Sequence, residues 1–258
     1  MLWTVLLLSL IVTHLLAAGL EESQIAFNMR SNAAAEAEAD GAVHEAISRL
    51  LNRLMFRQGP PIPESASYRL RLSSGEAEVL VEQQAGKVNP NLASVYLLEA
   101  LLRQVGADPA AAENLAAAIA DWRTRGEQGR PGGAKAPEYR QAGRDYGPPS
   151  APFESLDELG DVLGMSPSLV AALAPHMSLY TKADPVRALA DPVVRAALAK
   201  LPIGVQENSD ESEATQLVMI TALVTEPGGS HFQRSAVVSL GVGEGRPFQI
   251  LTWDAPGL

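Results

Sequence analysis

From Leu2 to Leu20 the chain carries no charge, and its polar positions are only Thr4, Ser9, Thr13, His14 and Gly19. About 20 such residues make a helix of roughly 30 Å, the thickness of a bilayer's hydrocarbon core. The pattern predicts a helix able to span a membrane, read here as an uncleaved anchor; a removed signal peptide and a buried core helix are the alternatives. A signal peptide needs a basic start and a small-residue cleavage site. Here Met1 runs straight into Leu2 and Trp3, and Ala17-Ala18-Gly19 sits inside a pattern that goes on being helical. A titratable residue within such a helix is costly, so His14 is expected to pack against a partner helix.

The same helix is predicted to continue to about Phe56. Ile25, Met29, Ala33, Ala39, Val43, Ile47, Leu50, Leu51 and Leu54 recur mostly at three- or four-residue steps, with Glu21, Glu22, Arg30, Glu36, Glu38, Glu45, Arg49 and Arg53 on the other faces. No proline intervenes before Gly59-Pro60-Pro61. The whole is one helix on the order of 80 Å long, apolar all round at first and amphipathic later. The amphipathic half requires a sheet to lie on.

Strand patterning supplies one. Tyr68 to Leu72 and Glu76 to Gln83 alternate around Ser73-Ser74-Gly75, predicting a hairpin in which Arg69 and Arg71 face Glu78 and Glu82. At the other end Leu217 to Thr225 is nearly all apolar, Arg234 to Leu240 alternates, and Phe248 to Trp253 alternates again. Turns at Glu226 to Gly229 and Gly243 to Gly245 separate these runs. Together they make about five strands whose apolar face covers the helix.

Between the two groups of strands the period is helical. Asn91 is placed to cap a helix from Leu92 to Val105, and Asp108-Pro109 opens another as far as Trp122. Ser155 to Glu158 form a capping box, Ser166-Pro167 start a helix that Pro175 ends, and Asp191-Pro192 start one ending near Leu201. Arg123 to Pro152 is a long Gly- and Pro-rich loop, of the kind that is functional, tied down by a ligand, or disordered. The predicted fold class is α+β: a long N-terminal helix packed on an antiparallel sheet, with a large all-α insertion. The expected divisions are 1–20 for the apolar half of the helix, 21–91 for its amphipathic half and first hairpin, 92–206 for the inserted helical domain, and 207–258 for the closing strands.

Composition narrows the function. The 258 residues carry a formal net charge of −10, which disfavours non-specific binding to nucleic acid or to anionic lipid. With zero cysteines, disulfides, Cys-based zinc sites and thiol catalysis are excluded. His14, His44, His176 and His231 are scattered, no HExxH or GxSxG occurs, and Gly241 to Gly245 lacks the lysine of a phosphate loop. Trp122 reads as a core residue, and Glu207, Asp210, Glu211 and Glu213 as a solvated linker. No catalytic, cofactor-binding or metal-binding residue is assigned from the sequence, and an anchored enzyme finds no constellation to support it.

Several motifs carry a resemblance. They are Gly86-Lys87-Val88-Asn89-Pro90-Asn91, Ala118-Ile119-Ala120-Asp121-Trp122, Gly133-Ala134 with Tyr139 and Tyr146, Phe153 to Leu159, and Arg246 to Trp253. In this order and spacing the chain resembles the type II secretion minor pseudopilin K family, also called general secretion pathway protein K. The resemblance implies a pilin-like, non-enzymatic subunit at the tip of a periplasmic pseudopilus, joined to minor pseudopilins I and J. It supports export of folded proteins across the outer membrane. It also implies a single-pass inner-membrane helix with the bulk of the chain in the periplasm, and a prepilin peptidase that clips a basic leader. No such leader precedes Leu2, so the expectation is that in-frame codons upstream of Met1 encode a basic stretch and a glycine. No glutamate lies between Met1 and Leu20, which fits a subunit that nothing follows.

The family further resembles a calcium binder in the loop, using acidic residues after the Asp-Trp and Gly-Ala pairs. Those positions here read Thr124, Gly126 and Lys135, leaving Asp121, Glu127, Glu138 and Asp145 as scattered candidates. No cofactor is therefore assigned, with calcium the only one considered. The sharper expectation is that the Lys135 ammonium replaces the cation, pairing with Asp121 or another carboxylate. A competing reading of Phe153 to Ala174 is a helix-hairpin-helix unit of a membrane-anchored, competence-like DNA-binding protein. Phosphate contact there would need nearby Lys or Arg, and none lies between Pro148 and Tyr180. A protein-contact module is the reading preferred.

Overall fold

The structure is a computed structural model that describes residues 2–56, 64–72, 75–126, 128–202, 216–226, 229–241 and 246–254, with backbone alone for 2, 11 and 14–23. The first helix, α1, runs unbroken from Leu2 to Met55 over 54 residues. Two strands follow, β1 (Ser65–Arg71) and β2 (Glu76–Gln83). The helices α2 (Val95–Gln104), α3 (Pro109–Arg123), α4 (Ala136–Gln141), α5 (Pro167–Leu173) and α6 (Pro192–Leu198) come next, with short 3₁₀ turns at Leu156–Asp161 and Ala174–His176. The chain then returns to the sheet as β3 (Gln216–Thr225), β4 (His231–Leu240) and β5 (Phe248–Asp254).

The sheet is antiparallel throughout, in the order β1-β2-β3-β4-β5. Because β2 and β3 are neighbours, the whole helical segment leaves and re-enters the sheet at one place. Its inner face, including Val79, Val81, Val218, Ile220, Ala236 and Val238, packs on Ala35, Ala39, Ala42, Val43, Ala46 and Ile47 of α1. Small residues on that stripe let the helix backbone come close to the strands. Arg234, only 7% exposed, points inward from β4. Its Nε donates to Asp40 at 2.6 Å and its Nη2 to Glu36 at 2.8 Å, and the guanidinium lies 5.0 Å from the Phe232 ring centre and 5.5 Å from that of Trp253.

Several expectations need correction. The buried stripe of α1 begins at Ser31 and continues through Ala35 and Ala39; Ile25 and Met29 are exposed because α1 has not yet reached the sheet, and Ala33 because it lies on the opposite face of the helix from Ser31. Arg71 stands opposite Glu76, not Glu82, in a pairing that closes just beyond it where the Leu72 N–H donates to the Gly75 carbonyl at 3.0 Å; Glu82 is 3.5 Å from Lys87 instead. Ser94, not Asn91, caps α2 through the Leu97 N–H. The long loop contains α4, held by Glu138 accepting from the Lys135 backbone N–H at 2.8 Å. The ring of His14, the Ser73-Ser74 turn, Gly243 to Gly245 and the acidic cluster around Asp210 lie outside the described residues.

The helical segment has its own core, in which Leu97, Leu98, Leu101, Leu102, Ile119 and Leu159 are fully enclosed. Caps define its helices: Asp108 accepts from Ala110 and Ala111, Ser166 from Leu169, and Asp191 from Val193 and Val194. Prolines at Pro109, Pro167 and Pro192 occupy first helical positions, where the missing N–H costs nothing.

Candidate functional site

Two features stand out as candidates: the free part of α1, and the clasp that holds the helical segment together. Along α1, Trp3, Val5, Leu6, Leu7, Leu8, Leu10 and Val12 are all about half exposed or more, as are Ile25, Phe27 and Met29. Water-exposed apolar surface of this extent marks a contact with another protein or a membrane. Among the described residues, no helix is long and apolar enough to cross a membrane.

The clasp starts at Gly86, where a Cβ would meet the Leu189 carbonyl oxygen at 2.2 Å, so only glycine lets the two backbones touch. Val88 then bridges to Met177, with its N–H donating to the His176 carbonyl and its own carbonyl accepting from Ser178, both at 2.9 Å. The Asn89 amide donates to the carbonyls of Thr181 at 2.7 Å and Leu179 at 3.2 Å, while its oxygen accepts from the Asn91 N–H at 2.8 Å. Asn91 pairs both ways with the Phe153 backbone, at 3.0 and 2.7 Å. Arg123 donates to the carbonyls of Pro90 and Ala93. Each polar side chain here satisfies backbone groups that short helices and loops leave unpaired.

The loop after α3 is fastened in the same manner. Asp121, 1% exposed, accepts from the Arg130 guanidinium at 2.8 Å through one oxygen and from the Arg130 N–H at 2.9 Å through the other. A Cβ on Gly133 would fall 2.1 Å from that second oxygen, which explains the glycine. Lys135 is buried at 3% exposure, and its ammonium donates to the Asp121 carbonyl at 2.7 Å and the Thr124 carbonyl at 2.5 Å. Trp122 stacks on Phe153 at 5.7 Å and leans toward Tyr139, whose ring meets Tyr146 edge-on at 5.7 Å. The Tyr139 hydroxyl accepts from the Leu163 N–H at 2.9 Å, and burial pushes its pKa up to about 12.

The candidate calcium ligands are not assembled. Asp121 is committed to Arg130, Glu138 accepts from the Lys135 N–H, Asp145 is exposed, and Glu127 lies outside the described residues. Among the described residues no group of three or more His, Asp or Glu is placed to hold a metal ion. Lys135 does meet Asp121, through the main-chain carbonyl instead of the expected carboxylate, because Arg130 has both carboxylate oxygens. Arg130 and Arg123 went unnoticed in the sequence; an arginine nine positions after a buried aspartate, inside a glycine-rich loop, was the available signal for the first.

The histidines find ordinary places. The His44 ring lies 5.1 Å from that of Trp253, His176 bonds Asp191 at 2.8 Å, and His231 is exposed at the start of β4. The turn Gly164-Met165-Ser166 joins a 3₁₀ turn to α5, with no Lys or Arg nearby in the chain to meet a phosphate.

A long helix laid on an antiparallel sheet, with a helical segment inserted between two adjacent strands, is a pilin-like α+β fold. Residues 73–182 match the family model for type II secretion system protein K. Over that segment, which is less than half of the chain, the sequence is similar to the protein K family, and most of the motifs that carry the resemblance lie within it. In fold the chain is similar to a chain of the crystal structure of the GspK–GspI–GspJ complex from the type 2 secretion system of enterotoxigenic Escherichia coli. The TM-score is 0.63 at 15% identity, covering 92% of this chain and 99% of that one. No curated protein sequence matches.

Proposed function

We propose that this chain is a minor pseudopilin of a type II secretion system, a structural subunit without catalysis of its own. It sits at the pseudopilus tip with minor pseudopilins I and J and supports export of folded proteins across the outer membrane. The observation that carries this reading is the free apolar surface of α1 before Ser31, on a helix whose other half is the spine of a pilin-like sheet. That surface lies in the inner membrane before assembly, with the rest of the chain in the periplasm, and packs among neighbouring helices afterwards. The helical segment, 92–206, is the bulky part that faces away from the filament.

The test is co-expression of the full chain with the I and J subunits of the same host, with affinity capture from detergent extracts. A complex of the three that persists through size exclusion is expected. Failure to form one at several salt concentrations and in several detergents would leave a pilin-like fold with another role.

A further inference from the structure

The structure shows a buried ammonium at the place where a helix ends and a loop turns back. Carbonyls of a helix's last turn have no partner in the helix and carry the negative end of its dipole. Here two carbonyls at the end of α3, those of Asp121 and Thr124, converge on Lys135 Nζ at 2.7 and 2.5 Å. Thr124 is further fixed by its hydroxyl, which donates to the Ala120 carbonyl at 2.6 Å, and Arg130 Nη1 reaches the same hydroxyl oxygen at 3.3 Å. A calcium ion would need six to eight oxygens, several of them carboxylate. Among the described residues, the one buried carboxylate beside these carbonyls, that of Asp121, already has an arginine on it.

We propose that Lys135 is a built-in cation for this loop: its ammonium gathers the α3 carbonyls that a metal ion would otherwise gather, so the loop folds without calcium. The comparison with calcium rests on the protein K reading, but the lysine's role does not. Loss of binding to I and J would leave it standing, and calcium dependence would overturn it without touching that reading.

The experiment uses the full chain in detergent. Melting is followed in calcium and in the chelator EGTA, and limited trypsin digestion reads cleavage at Arg125, Arg140 and Arg144. Wild type should melt at the same temperature and cleave at the same rate in both conditions. Lys135→Met, which keeps the aliphatic stem and removes the charge, should lose several degrees in Tm and be cut in the loop at least several-fold faster. If that variant does not fold, the wild-type arms still decide. A calcium-induced rise in wild-type Tm of several degrees, chelator-accelerated cleavage of wild type, or a Lys135→Met chain as stable and as resistant as wild type would each overturn the proposal.

Discussion

The two cores of this molecule are built on different principles. Between α1 and the sheet, the contact is a stripe of small residues from Ala35 to Ile47 against β-branched residues of the strands, with one buried arginine across it. Long regular elements satisfy their own backbone, so apolar packing can do nearly all the joining. The helical segment instead has helices of 6 to 15 residues, and most of its chain lies in caps and loops. Isolated helices that short are marginal. Its coherence comes from side chains that bond backbone: Asn89, Asn91, Arg123, Lys135 and the hydroxyl of Tyr139. The difference implies that polar substitutions should be severe in the helical segment, and changes of volume severe beneath the sheet.

Asn89→Ala is the largest test of that contrast. Three backbone groups lose their partner in a site that is 4% exposed. At about 1 kcal/mol for each lost bond, the cost should approach 3 kcal/mol in urea unfolding. A loss below about 1 kcal/mol would mean that packing alone holds the helical segment. On the other side, Ala39 is fully buried between α1 and the strands. Ala39→Leu should destabilise by about 2 kcal/mol through overpacking, whereas the same change at exposed Ala33 should be silent. Equal effects at the two positions would sink the small-residue account of the interface.

Regular periods made the first core readable in advance. The continuous α1, the sequence limits of β2 and the strand character of the last three runs all follow from two periods, 3.6 and 2. The point at which α1 meets the sheet was not readable, because Ile25 and Met29 repeat as Val43 and Ile47 do; how far the strands reach decides which of them is covered. The clasp was visible as motifs without its physics. Asn91 looked like a helix cap, and only the fold brings Phe153 to it from 62 positions away. Six residues hold less than two turns, so α4 left no period to detect. Lys135 was noticed for its charge, yet its partners are carbonyls, which every residue has and no sequence pattern marks.

A smaller effect tests the buried arginine of the sheet core. Arg234→Ala removes two charge-assisted bonds, but Glu36 and Asp40 can turn to water, so the cost should be about 1–2 kcal/mol, below the range for a fully buried pair. Arg234→Met, which refills the space between Phe232 and Trp253, should recover most of it. If methionine were as damaging as alanine, the ion pairs would matter more than packing, and the contrast between the two cores would weaken.

The gentlest test uses pH. The Tyr139 phenol is raised from 10.0 to about 12 in the folded chain by burial, so between those values the unfolded chain releases a proton that the folded one keeps. Stability contributed by this group is complete below pH 10 and falls as pH rises toward 12. Tyr68 is shifted the same way by burial and contributes to the same fall. Tyr139→Phe should therefore cost about 1 kcal/mol at neutral pH, since the Leu163 N–H loses its acceptor. The same variant should show a shallower decline in stability than wild type between pH 10 and 12. Parallel declines in the two proteins would show that the phenol is not held neutral by the helical core, and that the loop covers it less closely than its packing against Trp122 and Tyr146 implies.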